Sequence, residues 1–327
     1  MLKGISDNSP IRVASDSLVN QFTQHGVDMY VLSTPAKATS QKPMLVPGVD
    51  VAYLKHVVRN ISIPRHYKAE RQNNTFVRNW IQREFESFGM NVAFQGQFDN
   101  VVASYEKSSN ECSVLIGAHY DSVPQSPGAD DNASAIAGLL ALAKSFYSDA
   151  NHDIAFVAFN REEDGLLGSR EYVEHLSAQK KDKIKCAHIL EMIGYAKDEP
   201  GTQALPPGLP IKIDDVGNFI GIIANKNSNR LLNEIIKTAK TRTPSLAVKC
   251  LKVYMGAEKL FPHLLRSDHA PFWGDNIPSL MWTDTSEFRN PNYHKRTDTP
   301  DSLNYNFMYS VVSLLRHTVL QQLNKNG

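Results

Sequence analysis

Three strand-like runs in this chain end in residues able to bind a divalent metal. Val114 to Ala118 leads into His119 and Asp121; Ile154 to Phe159 leads, three residues on, into Glu162 and Glu163; Ala187 to Leu190 leads into Glu191. Apolar runs of this length, separated by helix-like stretches, read as buried parallel strands. In open α/β sheets, sites collect at the carboxyl ends of the strands. Loading three such ends with His, Asp and Glu predicts a metalloenzyme.

Each group has its own chemistry. His119 and Asp121 are two apart, so along an extended backbone they point the same way, and the carboxylate can sit behind the imidazole and fix its tautomer. Asp130 and Asp131 stand at the mouth of an apolar helix-like stretch. They read either as a cap with a helix-dipole partner, or as a pair of which one member, having two oxygens, bridges two cations. Glu162 and Glu163 are neighbours and cannot do the same job; one can bind metal while the other accepts a proton from an activated water. Glu191 runs into Met192-Ile193-Gly194, and a carboxylate in such an apolar setting needs a metal or a base as partner. His294, in the polar stretch after Asn292, adds a second imidazole. Mixed nitrogen and oxygen donors suit zinc, with cobalt or manganese as substitutes, and the absence of candidate Cys ligands favours an open catalytic site over a structural one.

The elements that must hold these residues are legible as periodicities. From Asp50, the spacing of Val51, Leu54, Val57 and Val58 predicts a short helix. Phe76, Trp80, Ile81, Phe85 and Phe88 predict a longer one ending at Gly89. Strands are expected at Val92–Phe94, Val101–Tyr105, Phe219–Ile223 and Ser279–Trp282, with helices at Ala133–Phe146, Gly168–Leu176, Leu231–Ala239 and Leu303–Leu323. The Pro- and Gly-rich stretch Pro200 to Pro210 cannot be regular structure; following a loaded strand, it reads either as a wall or lid of the site or as a surface loop with no role there. Residues 1–48, with Pro10, Pro35, Pro43 and Pro47, read as an arm or irregular lead-in, leaving 49–327 as one α/β domain.

The totals agree with a protein of this kind. Of 327 residues, 42% are hydrophobic, enough for a substantial core, and 21% are charged with a net charge of only +1. That balance gives no electrostatic case for nucleic acid or an anionic membrane. No apolar run approaches the ~20 residues that span a bilayer. Met1 to Asn8 lack the apolar core of a secretory signal. Cys112, Cys186 and Cys250 are few, odd in number and widely spaced, which disfavours a disulfide framework. Together these features predict a cytoplasmic location.

Six segments, in order, resemble the co-catalytic zinc aminopeptidase family of exopeptidases, relatives of the glutaminyl cyclases. They are His119-Tyr120-Asp121-Ser122, Gly128 to Ser134, Phe159 to Ser169, Met192 to Tyr195, Arg266 to Trp273, and Tyr293-His294, within about 100–303. The resemblance implies a single-domain α/β/α sandwich around a mixed, mostly parallel sheet. It implies two zinc ions, one held by His119, Asp131 and Glu191, the other by Asp131, Glu163 and His294. It makes Glu162 the general base, Asp121 the residue that orients His119, Tyr293 an oxyanion donor, and His269 a lining residue of the substrate pocket. Phe261, Phe272, Trp273 and Met192 read first as core residues and second as candidates for an apolar part of that pocket. The expected substrates are peptides with a free N-terminus.

Two departures stand out: Glu191 where the family usually has Asp, and Ala135 where glycine is common. Two rivals remain at this point. A glutaminyl-cyclase-like acyltransferase shares the fold but works with one zinc and typically lacks the Asp130-Asp131-Asn132 run and Asp298-Thr299-Pro300-Asp301. A non-catalytic member of the fold is the other, disfavoured by the intact ligand set.

Overall fold

A computed structural model of the chain describes residues 11–13, 29–34, 47–105, 113–147 and 153–324. Cys112 lies outside them; Cys186 and Cys250 are free and buried. Ten strands are present among the described residues: β1 (Ile11–Val13), β2 (Met29–Ser33), β3 (Met90–Gln95), β4 (Asn100–Tyr105), β5 (Val114–His119), β6 (Ile154–Phe159), β7 (Cys186–Glu191), β8 (Phe219–Ala224), β9 (Ala247–Val253) and β10 (Ser279–Thr283). They form one sheet in the order β1-β2-β9-β8-β10-β7-β5-β6-β4-β3. Its centre, β10-β7-β5-β6, is parallel, while β4 joins β6 antiparallel and β8 joins β10 antiparallel. Every residue of β5, β6 and β7 is buried, which is why these strands read as unbroken apolar runs rather than as alternating ones.

Helices cover both faces. On one side lie α1 (Val51–Ile61), α2 (Arg71–Ser87), α3 (Ala135–Phe146), α6 (Asn229–Arg242) and α8 (Tyr305–Asn324), sharing the larger apolar core. On the other, α4 (Leu167–Glu174) and α7 (His269–Gly274) enclose a smaller core around Val157, Phe159, Ile189 and Phe272, and α5 (Ala178–Lys183) lies between α4 and β7 in the chain. The layers make an α/β/α sandwich with a mixed sheet, parallel at its centre, as expected. Within the N-terminal 48 residues, Met29–Ser33 pairs antiparallel with β9.

Local chemistry sets most boundaries. Asp50 caps α1, its carboxylate accepting from the Ala52 amide at 2.9 Å, and Leu54, Val57, Val58 and Ile61 are buried at helical spacing. In α2 the core-facing side follows most of the expected stripe: Ile81 and Phe85 are buried and Trp80 and Phe88 pack against the core, joined by Asn74 and Val77, while Phe76 is left 47% exposed. The buried Asn74 is accommodated by hydrogen bonds, its amide donating to Arg65 O (2.9 Å) and to Asn160 Oδ1 (3.0 Å). The helix expected from Ala133 begins at Ala135, because Asp131 and Asn132 have non-helical backbone angles. Their neighbours' hydrogen-bonding groups are engaged elsewhere, as the site shows.

Candidate metal centre and active-site cavity

The ends of β5, β6 and β7 converge with two loops. His119 is the last residue of β5, Glu191 the last of β7, and Glu162 and Glu163 follow β6 by three and four residues. Asp131 lies in the 129–134 turn before α3, and His294 in the loop after β10. His119 Nε2 is 3.4 Å from Asp131 Oδ1, 3.4 Å from Glu191 Oε2 and 3.9 Å from Glu162 Oε2. On the far side of the same aspartate, His294 Nε2 is 3.1 Å from Asp131 Oδ2 and 3.3 Å from Glu163 Oε2. Two groups follow, His119–Asp131–Glu191 and Asp131–Glu163–His294, each with ligand atoms within 4.8 Å of one another. Asp131 belongs to both, one oxygen to each.

The donor set fits divalent cations. The four carboxyl groups of Asp131, Glu162, Glu163 and Glu191 face the two imidazoles, a mixed oxygen and nitrogen donor set. His119 Nε2, Asp131 Oδ1 and Glu163 Oε1 are buried and make no hydrogen bond, and buried polar atoms are seldom left so without a ligand to meet them. Protons respond to the crowding. Burial would pull His119 down, but Glu162, Glu191, Asp121 and Asp131 lift it well above the usual histidine range. Burial likewise opposes His294, which Asp131 and Glu163 raise to about 10. Asp131, despite burial, is held below the usual carboxylate range by the two imidazoles. Burial and Asp131 push Glu163 up to about 7. Glu162 is raised well above a normal carboxyl by burial and by Glu191 and Glu163, against the pull of His119.

Supporting contacts explain how the ligands stay aimed. Asp121 Oδ1 is 3.3 Å from His119 Nδ1, and the same carboxylate accepts the backbone amides of Glu162 (3.2 Å) and Glu163 (3.3 Å). One side chain thus ties the β5 end to the β6 end. Asp298 accepts the amides of Asp130 (3.0 Å) and Asp131 (3.1 Å), which draws this turn away from helical pairing. Asp130 itself faces away from the ligand groups, accepting from the Gly194 amide (2.9 Å) and Asn290 (2.6 Å). Asn132 accepts the Met192 amide and donates to Leu190 O, fastening the turn to the β7 end. The longer Glu191 reaches the group and is steadied by the Ser267 hydroxyl at 2.7 Å. Arg65 carries no local sequence signal, and although Ser267 and Asp298 fall in segments that resemble the family, their contacts with Glu191 and with the 130–131 amides show only in the folded chain.

A cavity of about 440 Å³ opens beside these ligands. Its lining includes Asp131, Glu162, Glu163, Glu191, Tyr293 and His294. It also includes the apolar side chains of Ile211, Ile213, Ile223, Leu251, Met281 and Phe288. The Pro- and Gly-rich loop supplies one wall through Gln203 to Pro206 and Leu209. One sequence expectation needs correcting. His269 is fully buried, its Nε2 2.8 Å from Leu264 O and its ring edge-on to Trp273 at 4.4 Å; it props the loop carrying Leu264 and does not line the cavity. Phe272, Trp273 and Met192 are core residues, and Phe261 packs against the small cluster around Leu251 and Leu264, so none of the four forms the apolar wall. Tyr293 does line the cavity, stacked on His294 at 3.7 Å and accepting a hydrogen bond from Arg266 Nη2 at 3.0 Å.

The description of peptidase family M28 matches residues 100–319, the stretch that carries every one of these ligands. The chain belongs to peptidase family M28. Among curated family relatives, the uncharacterized protein YfbL of Escherichia coli is 34% identical over 251 residues, covering 71% of this chain and 76% of that one. Aminopeptidase YwaD of Bacillus subtilis is 27% identical over 216 residues, 65% of this chain but 41% of its own length. The chain therefore spans less than half of that aminopeptidase. Among solved structures, LapA of Legionella pneumophila overlays with a TM-score of 0.66 at 18% identity, covering 98% of this chain and 79% of that one. A glutaminyl cyclase from an Acidobacteriales bacterium overlays at 0.62 and 17% identity, covering 89% and 99%. At such identities the likeness shows the M28-type fold alone, so the choice of chemistry falls to the side chains.

Proposed function

We propose that this M28 peptidase is a zinc-dependent aminopeptidase with two cation sites sharing Asp131, and that residues 49–327 carry its catalytic groups while Met29–Ser33 adds a strand to the same sheet. One observation carries the reading: the two oxygens of Asp131 face separate groups, His119 with Glu191 and Glu163 with His294. Zinc, or cobalt or manganese in its place, suits these donors. When bound, such ions supply the Lewis acidity that lowers the pKa of water and polarises a carbonyl.

The protein's own groups do the rest. Glu162 stands near His119 but outside both ligand groups. It takes the proton of the attacking water and returns it to the departing amine. Asp121 holds His119 in the tautomer that presents Nε2 to the site. The Tyr293 hydroxyl, already accepting from Arg266, is left with its own proton to donate to the developing oxyanion. The first side chain of a peptide packs against the apolar lining of the cavity, and its free amine sits on the Glu163–His294 side. A bridging aspartate with both groups intact supports this reading over a one-zinc cyclase.

The test is mass spectrometry of a mixed peptide set, with free and acetylated N-termini and some N-terminal glutamines, incubated with zinc-loaded and chelated protein. Stepwise loss of N-terminal residues, only from free amines and only with metal, is the expected result. Loss of ammonia from the glutamine peptides without cleavage would assign a cyclase, and no change in any peptide would sink the aminopeptidase reading.

A further inference from the structure

Between α1 and α2 the chain buries an arginine completely. Arg65 has no exposed surface, and its guanidinium is spent on backbone carbonyls. Nε donates to Tyr120 O at 2.6 Å and Nη2 to Gly128 O at 2.8 Å, while Nη1 donates to Ile63 O at 3.2 Å and to Pro127 O. Its own amide donates to Ser122 Oγ at 3.1 Å. Tyr120 and Gly128 are the two ends of one loop. Immediately outside those ends lie His119 on one side and, three residues on, Asp131 on the other. The planar fork of a guanidinium holds several acceptors in fixed relative positions, which an ammonium cannot do.

Other features bear on the same point. Gly128 has φ +57, and a Cβ there would stand 2.2 Å from Asp131 O and 3.0 Å from Arg65 Nη2, so loop and arginine are packed with no slack. Arg65 is itself gripped from α2 by the Asn74 amide, which donates to its carbonyl at 2.9 Å. Burial brings the guanidinium down to about 10, against the pull of Asp131, Asp121 and Asp298, so it stays charged at neutral pH beside an acid-rich site. Residue 65 also lies outside the 100–319 stretch matched to the family.

We propose that Arg65 is a positioning residue for the cation site of His119, Asp131 and Glu191, fixing the separation of His119 and Asp131 by clamping both ends of the 120–128 loop. The inference rests on the metal reading above. It is tested by titrating metal-free wild-type, Arg65→Lys and Arg65→Met proteins with zinc against a chromophoric chelator, and by recording the visible absorption of each loaded with cobalt. Loss of a partner that orients metal ligands typically costs about 10–100-fold in affinity, and that is the loss expected for Arg65→Met, with an altered cobalt spectrum. Arg65→Lys restores charge without the fork and is expected to recover only part of the affinity. A folded Arg65→Met protein with wild-type zinc affinity and cobalt spectrum, and merely a lower melting temperature, overturns the proposal. Should Arg65→Met fail to fold, Arg65→Lys decides: wild-type affinity and spectrum there overturn it equally. Wild-type protein that binds no divalent cation would overturn the metal reading and this inference with it, whereas binding by wild type with unchanged variants overturns this inference alone.

Discussion

At the scale of single residues, the division of labour between Glu162 and Glu163 is the sharpest claim. Glu163 sits in a ligand group and Glu162 does not. Glu162→Gln is therefore expected to lower kcat by about 10²–10⁴-fold while bound zinc, measured by atomic emission, stays at the wild-type level; loss of metal with activity would reassign it as a ligand. Tyr293→Phe removes one oxyanion donor and is expected to cost up to about 10²–10³-fold in kcat with little change in KM. An unchanged kcat would remove Tyr293 from the mechanism. The protons crowded into the cluster make a third prediction. Metal must displace protons from His294, raised to about 10, and from Glu163, raised to about 7. Zinc binding at pH 7 should release protons, and apparent affinity should climb between pH 6 and pH 8. Titration calorimetry in buffers of different ionisation enthalpy reads the release directly, and a buffer-independent heat would refute it.

At the scale of elements, the turn before α3 governs the site. Asp131 can point one oxygen to each group because residues 129–134 are not a regular helix, and they are not because Asp298, Gly194 and Met192 engage the turn's polar groups. Gly128→Ala places a Cβ against the Asp131 carbonyl in a left-handed backbone. The expected cost is about 1–3 kcal/mol of stability, together with weaker zinc binding because the clash must be relieved by moving Asp131. Urea denaturation of the metal-free protein, set beside a zinc titration, separates the two effects. A variant with normal stability and normal affinity would show the turn to be more tolerant than its packing implies.

At the scale of the whole molecule, β7, β10 and α8 meet at a buried polar contact. Trp282 Nε1 donates to His188 Nδ1 at 3.1 Å, and His188 Nε2 donates to Gln322 Oε1 at 2.9 Å, which fixes a neutral tautomer. Burial brings His188 down to about 4. Unfolded histidine takes up a proton near 6.5, so between pH 6.5 and pH 4 the unfolded chain binds more protons and stability falls as pH falls. The window corresponds to about 3 kcal/mol at most from this residue. A His188→Gln protein should show a shallower loss of denaturation midpoint from pH 7 to pH 5; an unchanged slope would place the acid sensitivity elsewhere.

These scales differ in how far the sequence alone reveals them. The strand runs of β5, β6 and β7 were legible because burial on both faces leaves an unbroken apolar run, and their terminal His and Glu stood out against it. Most helices followed from local periodicity; in α2 only Phe76 of the expected stripe lies exposed, and the buried Asn74 shows only through its hydrogen bonds to Arg65 and Asn160. Ala247–Val253 went unread as a strand: its lysines interrupt the apolar run, although Lys252 is itself buried. Residue types and local spacing thus determined the kind of chemistry and the elements that carry it. Tertiary structure alone decided which groups hold Asp130 away from the ligands, that the cavity's apolar lining comes from Ile211, Ile213, Leu251 and Phe288 rather than from Phe272 or Trp273, and that Arg65 holds both ends of the 120–128 loop. The reason is physical: which side chains face one another depends on strand order and loop closure across a hundred or more residues, and no local propensity encodes that.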